Sequence, residues 1–396
     1  MPILLVNANI SSHTGVNILI EDGVIRKIAP GFVLPGADIF DCSGALVLPS
    51  FIDAHVHLDK TRIGASRLHH AKTSTVMQRA LNEKKLRKDL SHDAHIFGAC
   101  LVRRLILAGT THIRSHVDID TDIGLSHAEA LLDLREQFKE LVDIQLVAFP
   151  QSGILKSPGV AELMLEALNM GVDMVGGIDP QTFEGDLDGH LDAVFDLAEK
   201  TGKSVDIHLH EPGQIGLKSL KAIIERGRAL GMKDKITISH CYTLGQIADE
   251  DLDDVLPQIR EMGISVLTSS PGSIAFPSVE KLLDAGIRYA AVSDNIQDMW
   301  SPWGTGDQLE RAMFLAYRHG FRADSLIMLC YDMVTSIPAQ IFGVPGHGLK
   351  YLREGADANL TALHAEDVPS AVLQRPKRLF TIKNGKFIAR NGDVLA

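Results

Sequence analysis

The sequence predicts an α/β protein: a (β/α)8 barrel with a small β-sandwich domain formed from both chain termini. Three observations carry this expectation. Eight short apolar runs of β character alternate with helical patterns through the middle of the chain, at roughly 25 to 33 residues per unit. Both ends read instead as short strands joined by tight turns. The competing architecture, a doubly wound open sheet, usually carries a Gly-rich phosphate turn after an early strand, and none is present.

Residues 16–20 alternate, Glu21-Asp22-Gly23 is a hairpin signal, and residues 24–28 resume as a strand. Residues 46–48 and Pro49 lead into the first barrel strand. At the far end, residues 359–363 and 378–382 are strand-like. Lys383-Asn384-Gly385-Lys386 carries the Asn-Gly hairpin signature, residues 387–389 follow, and Asn391-Gly392 turns again. The economical arrangement joins residues 1–50 and 350–396 in one small domain, with residues 51–349 inserted as the barrel. The eight barrel strands fall near 51–58, 111–117, 144–150, 174–178, 204–210, 236–241, 264–269 and 289–293. Helical periodicity marks 161–170, 190–201, 217–230, 251–262 and 279–285, and a charged amphipathic stretch, 76–108, fills the long gap after the first strand.

The formal charge of -11 repels phosphate backbones, and no Lys/Arg cluster with interleaved aromatics occurs, so nucleic acid is not an expected partner. Four scattered cysteines, Cys42, Cys100, Cys241 and Cys330, form no Cys-x-x-Cys pair, which argues against a thiolate zinc site or a disulfide framework. Neither a secretory signal pattern nor a run of 18 or more apolar residues is found, so the expectation is a cytoplasmic protein without a transmembrane helix or membrane partner.

The chemistry sits at the strand ends. Phe51-Ile-Asp-Ala-His-Val-His-Leu-Asp-Lys60 ends a β-run in His55 and His57, which point the same way because side chains on a strand alternate. Alone, His-x-His is weak. Later strands add His116 and Asp118, Gln151, Asp179, His208, His210 and Glu211, His240, and Asp294 with Asn295. Unpaired polar groups cost several kcal/mol or so in an apolar core, so a histidine or carboxylate at strand after strand points to one site at the C-terminal barrel face. His112 reads as a packed or surface histidine, His69 and His70 as surface residues, and Cys241 as a small packed residue. His116 and His210 read equally as ligands or as support for ligands. Trp300 and Trp303 flank Pro302 after the last strand, suited to a lid or a stacking wall.

His55-x-His57, His208, His240 and Asp294 on strands one, five, six and eight resemble the metal-binding pattern of the amidohydrolase superfamily. The resemblance spans nearly the whole chain, including the terminal β domain. Phe149-Pro150-Gln151-Ser152-Gly153, His208-x-x-Glu211, and Ser293-Asp294-Asn295 with Trp300 are similar to the cytosine deaminase branch. His57-Leu58-Asp59-Lys60, Arg114-Ser115-His116-Val117-Asp118, Val175-Gly176-Gly177-Ile178-Asp179-Pro180, Ser293-Asp294-Asn295-Ile296 and Ile382-Lys383-Asn384-Gly385 look closer still to its triazine-degrading relative, N-isopropylammelide isopropylaminohydrolase. Three departures stand out. Asn295 replaces the second aspartate of cytosine deaminases, Ser270-Pro271-Gly272-Ser273 replaces their basic segment, and Glu211 stands where the triazine enzyme has Asp.

The resemblance implies one divalent ion, since strand four lacks the lysine of dinuclear members, held by His55, His57, His208 and Asp294. Nitrogen and oxygen donors suit zinc or iron(II), with manganese also admissible. Such an ion lowers the pKa of water toward roughly 7. Asp294 and His240 are then expected to orient the water and take its proton, and Glu211 to protonate a ring nitrogen. Gln151, Lys60, His210, Asn295 and Trp300 are expected to contact the substrate. The implied activity is hydrolytic deamination of a small heterocycle of cytosine or aminotriazine type, by a homo-oligomer. A cyclic amidase opening a lactam or imide ring is the alternative enzyme. A non-catalytic, metal-dependent ligand-binding protein is the alternative from another class.

Overall fold

The computed structural model describes residues 1–70, 72–73, 75–272 and 274–395. Ser273, part of the expected departure at 270–273, lies outside them. Eight parallel strands form the central sheet: β1 (Phe51–Val56), β2 (Thr110–Asp118), β3 (Asp143–Phe149), β4 (Met174–Ile178), β5 (Ser204–His208), β6 (Ile236–Ser239), β7 (Ser265–Thr268) and β8 (Tyr289–Ala291). Each pairs with its neighbour in sequence. The barrel closes where the backbone N–H of Asp294 donates to His55 O at 2.8 Å, in a parallel bridge between Val56 and Asp294. Ser293 N–H adds a bond to Asp53 Oδ1 at 3.1 Å. Every residue of β1, β2 and β4 is buried, as expected for parallel strands covered on both faces. That is why β4 reads as an unbroken apolar run, whereas β2, Thr-Thr-His-Ile-Arg-Ser-His-Val-Asp, buries mostly polar side chains.

The helices pack one apolar stripe against this barrel. Leu187–Thr201 is typical: Asp186 caps it by accepting from Gly189 N–H at 3.0 Å, Gly202 ends it in the left-handed region, and His190, Leu191, Val194, Phe195 and Ala198 face inward. The stretch 76–108 is two helices, α1 (Val76–Leu90) and α2 (Ala94–Leu107), capped by Thr75 and Asp93 and separated by the left-handed Ser91. Five helices are absent from the expected set: Ser126–Phe138, Gln308–His319, Asp324–Asp332, Ser336–Phe342 and Val368–Gln374; in the first, Ala128, Leu131, Leu134 and Phe138 are nevertheless buried at helical spacing. No run of 18 or more apolar residues occurs, but one stretch approaches a membrane span in length and composition. Asp324–Phe342 has the length and apolarity, with a mean hydropathy of 1.3. It is, however, two helices, Asp324–Asp332 and Ser336–Phe342, and it buries Ile327, Cys330, Tyr331 and Ala339 in the fold.

Both termini meet in a second, nine-stranded mixed sheet. Leu46–Pro49 pairs antiparallel with Leu360–Leu363, so N- and C-terminal strands share one ladder. The halves of the expected sandwich are joined through Ile3–Ile10, which pairs with His13–Glu21, Asp38–Asp41 and Leu46. Ile18, Ile20 and Ile25 share a core with Leu360, Phe380 and Ile382. Two hairpin turns meet there. Asp22-Gly23 and Asn384-Gly385 all have positive φ, as the tightest hairpins require, and a Cβ on Gly385 would lie 2.7 Å from Gly23 Cα.

Candidate active site

Four barrel strands end in a non-glycine residue with positive φ: Asp179 after β4, His240 after β6, Ser270 after β7 and Asp294 after β8. Such conformations cost of order 1–3 kcal/mol each and gather at functional sites. Here they turn side chains of separate strands toward one point. His55 Nε2 lies 3.3 Å from His57 Nε2, and Asp294 Oδ1 lies 3.6 and 3.4 Å from the same two atoms. Donor atoms of His55, His208 and His240 fall within 4.8 Å of one another. All four histidines are buried.

Their hydrogen bonding is incomplete. Among the described residues, neither ring nitrogen of His208 has a partner, nor does His57 Nδ1 or His240 Nδ1. Buried polar atoms are rarely left so, because the lost hydration is costly. Burial also disfavours their charged forms. It drives His55 and His208 well below the usual imidazole range and His240 down to about 3. Burial would raise Asp294, but the bond with His57 and the surrounding imidazoles hold it well below a normal carboxylate. Neutral imidazoles with free lone pairs beside one ionised carboxylate are the donor set a divalent cation requires.

A buried relay fixes the first of these rings. Ser239 Oγ–H donates to Asp206 Oδ1 at 2.7 Å, so His55 Nδ1–H must donate to Ser239 Oγ at 2.8 Å. This tautomer leaves the Nε2 lone pair facing His57 and Asp294. Arg114 holds the other Asp206 oxygen at 3.2 Å. His116 packs its ring 4.1 Å from that of His55 and lies 3.5 Å from Asp206 Oδ1.

The remaining predicted residues divide. His210 stacks on His240 with centroids 4.4 Å apart, and its Nδ1 meets Asp179 Oδ2 at 2.7 Å. Burial alone would lower the His210 pKa, but Asp179 more than reverses this and raises it. Glu211 goes elsewhere. Its Oε1 accepts from the backbone N–H groups of Gln181 and Thr182, both at 2.7 Å, and its Oε2 from the Ser219 hydroxyl. The expected proton donor is thus committed to holding the β4 loop against the next helix.

Lys60 and Gln151 are brought together but not left free. Lys60 Nζ donates to Gln151 Oε1 at 2.7 Å and pairs with Asp118 at 2.9 Å and Glu83 at 3.2 Å. It sits over the rings of Trp300 and Phe149, and Phe149 stacks on His208 with centroids 4.2 Å apart. Asn295 Nδ2 donates to Asp298 Oδ2 at 2.6 Å, while Asp298 Oδ1 accepts from the backbone of Trp300 and Ser301. Asp294, Asn295 and Trp300 line a cavity of about 850 Å3, walled further by His69, His70, Arg79, Tyr242 and Trp303. Sequence reasoning missed Glu83 and Arg87, whose signal was present: with Ala80 they recur at helical spacing and form the buried face of α1. It read Cys241 correctly as a packed residue, for burial pushes its thiol upward, away from reactivity.

Residues 38–389 match the amidohydrolase family. The chain belongs to that family. It is therefore an amidohydrolase-superfamily enzyme, one that hydrolyses a carbon–nitrogen bond of a cyclic compound. It is 32% identical over 366 residues to N-isopropylammelide isopropyl amidohydrolase of Pseudomonas sp. (strain ADP), covering 91% of this chain and 90% of that one. The crystal structure of N-isopropylammelide isopropylaminohydrolase from Burkholderia multivorans ATCC 17616 superposes with a TM-score of 0.94 at 39% identity, over the full length of both chains. That of 5-methylcytosine deaminase from Klebsiella pneumoniae, liganded with 5-fluorocytosine, gives 0.83 at 27% identity, covering 100% of this chain and 98% of the other. These relatives place the amidohydrolase in the branch that the strand-end residues resemble.

Proposed function

We propose that this amidohydrolase releases an alkylamine or ammonia from a small aminotriazine or aminopyrimidine, with water as the nucleophile. What supports the reading is a pair of donor groups that share His55, one with His57 and Asp294 and one with His208 and His240, beside the His210–Asp179 pair and the Trp300 wall. His55, His57, His208 and Asp294 would hold one divalent cation, zinc or iron(II), with manganese also admissible for nitrogen and oxygen donors. When bound, such an ion supplies the Lewis acidity that makes water a competent nucleophile at neutral pH.

The protein's own groups supply the rest. Asp294, ionised and adjacent to His240, takes the proton of the attacking water. His210, whose hold on a proton Asp179 strengthens, delivers a proton to a ring nitrogen and makes the neighbouring ring carbon electrophilic. It takes this role in place of Glu211, whose oxygens are occupied. Lys60 holds Gln151 Oε1, so Gln151 offers its amide N–H groups to a ring carbonyl. Trp300 covers the ring face. Asp294 then passes its proton to the exocyclic nitrogen and the amine leaves; as the ring carbonyl forms, the proton of the added hydroxyl returns to His210 and restores the starting state. The reading includes a homo-oligomeric cytoplasmic enzyme with a small-molecule partner.

The test is a panel of N-alkyl aminotriazines and aminopyrimidines given to purified, metal-loaded protein. Amine or ammonia release from at least one ring is expected, and silence across the panel refutes the proposal. A new carboxylate in the product, without free amine, identifies a cyclic amidase instead.

A further inference from the structure

We propose that Glu83 is a positioning residue that latches α1 over the active site and orients Trp300, Lys60 and, through Lys60, Gln151. The inference rests on the reading above, in which Gln151 and Trp300 face the substrate and Lys60 holds Gln151. Its geometry stands apart from that reading.

α1 is an unusual cover. Its fully buried residues are Ala80, Glu83 and Arg87, so apolar packing, by Ala80 with the partly buried Val76 and Met77, is confined to its start and does not hold the rest of the helix. Charged contacts hold it instead. Arg87 reaches Asp118 at 3.2 Å and Asp120 at 2.6 Å, beyond the end of β2. Glu83, 1% exposed, lies one turn earlier on the same buried face. Its Oε2 accepts from Lys60 Nζ at 3.2 Å and from Trp300 Nε1 at 2.5 Å. Among the described residues its Oε1 has no hydrogen-bond partner, so a single oxygen joins α1, the β1 end and the loop after β8.

The consequence is directional. Trp300 has one side-chain hydrogen-bonding group, its indole N–H, and Glu83 takes it. That bond sets the ring plane that, with Val76, Met77 and Ala80, packs near Phe149, itself stacked on His208. The Lys60 ammonium lies between the two aromatic rings, 5.2 and 5.6 Å from their centroids. Without Glu83 the ammonium keeps Asp118 and Gln151 but loses the partner that draws it toward Trp300, and the indole is free to rotate.

The chain has only two tryptophans, which makes the latch visible. In a Trp303→Phe background, Trp300 is the sole tryptophan, excited at a wavelength that the five tyrosines do not absorb, and all comparisons are made within that background. Glu83→Ala is expected to raise acrylamide quenching of Trp300 at least about two-fold, because an unlatched indole is open to solvent. It is also expected to raise KM at least about ten-fold while kcat falls less, as loss of substrate orientation by binding contacts requires. A bystander glutamate would lower the thermal midpoint and leave both readouts unchanged. Folded Glu83→Ala protein with unaltered quenching overturns the proposal. Should that variant fail to fold, Glu83→Gln carries the test. The amide still accepts from the indole, so quenching stays low, but the ion pair with Lys60 is gone and KM rises at least about five-fold. An unchanged KM there overturns the proposal. If the wild type turns over no ring in the panel, the functional reading fails, and the quenching result still decides the latch.

Discussion

Ser239→Ala removes the one hydroxyl that joins Asp206 to His55. Two short bonds are lost, 2.8 Å to His55 Nδ1 and 2.7 Å to Asp206 Oδ1. Asp206 keeps Arg114 at 3.2 Å and His116 at 3.5 Å, so no buried charge is stranded and the metal-free fold should lose only about 1–2 kcal/mol. The larger effect falls on the cation. With no acceptor for Nδ1–H, His55 is no longer fixed in the tautomer and ring orientation that aim Nε2 at the other ligands. Loss of such a supporting bond typically weakens metal binding by about 10–100-fold, or roughly 1.4–2.7 kcal/mol. The assay is competition for a divalent ion against a chromophoric chelator, paired with urea unfolding of the metal-free protein. A dissociation constant within about two-fold of wild type would mean that the relay does not orient His55, and the argument from tautomer to affinity would fail. Asp206→Asn should be worse in both assays, since it also leaves Arg114 buried without its counter-charge, at about 3–5 kcal/mol.

Exhaustive chelation should abolish turnover, and a stoichiometric divalent ion should restore it; full activity in metal-free protein by elemental analysis would overturn the ligand assignment. Glu184 accepts from His190 Nδ1 at 3.0 Å and from the backbone N–H groups of Ile154, Leu155 and Lys156. Burial raises its pKa, but His190 and the loop amides outweigh this and leave it below the ordinary 4.5. A depressed folded pKa contributes stability above the unfolded value that is lost as pH falls through the folded one. Glu184→Gln should therefore cost about 2–3 kcal/mol at pH near 7, and its gap to wild type in urea unfolding should narrow below pH 4.5. A pH-independent gap would show that the charge is not what holds the loop. A Cβ at Gly176 would lie 2.4 Å from Ala148 O and 3.1 Å from Phe149 Cα, both backbone atoms. Gly176→Ala should thus cost about 2–3 kcal/mol by thermal unfolding and weaken metal binding by shifting Phe149 off His208; a variant as stable as wild type would contradict the packing.

The strand rhythm was legible from residues alone because parallel strands are buried on both faces. Their apolar runs stand out, and β4 falls on residues 174–178 in both readings. The strand-end polar cluster was legible for the complementary reason. His55, His57, His208 and His240 sit where apolar burial should exclude them, so each advertised a compensating partner, and the partly buried Asp294 stands beside them. The terminal hairpins were equally plain, since Asp22-Gly23 and Asn384-Gly385 name their own backbone conformation. What only the tertiary structure decided is which polar side chain receives which neighbour. Glu211 and His210 are adjacent in sequence, yet one is taken by the β4 loop and the other turns to Asp179 and His240. Glu83, 23 residues from Lys60 and 217 from Trp300, carried no local sign of either. Burial of a lone apolar residue depends on its own chemistry, which sequence displays. The protonation and orientation of a buried charge depend on the partners that long-range folding delivers, which sequence does not.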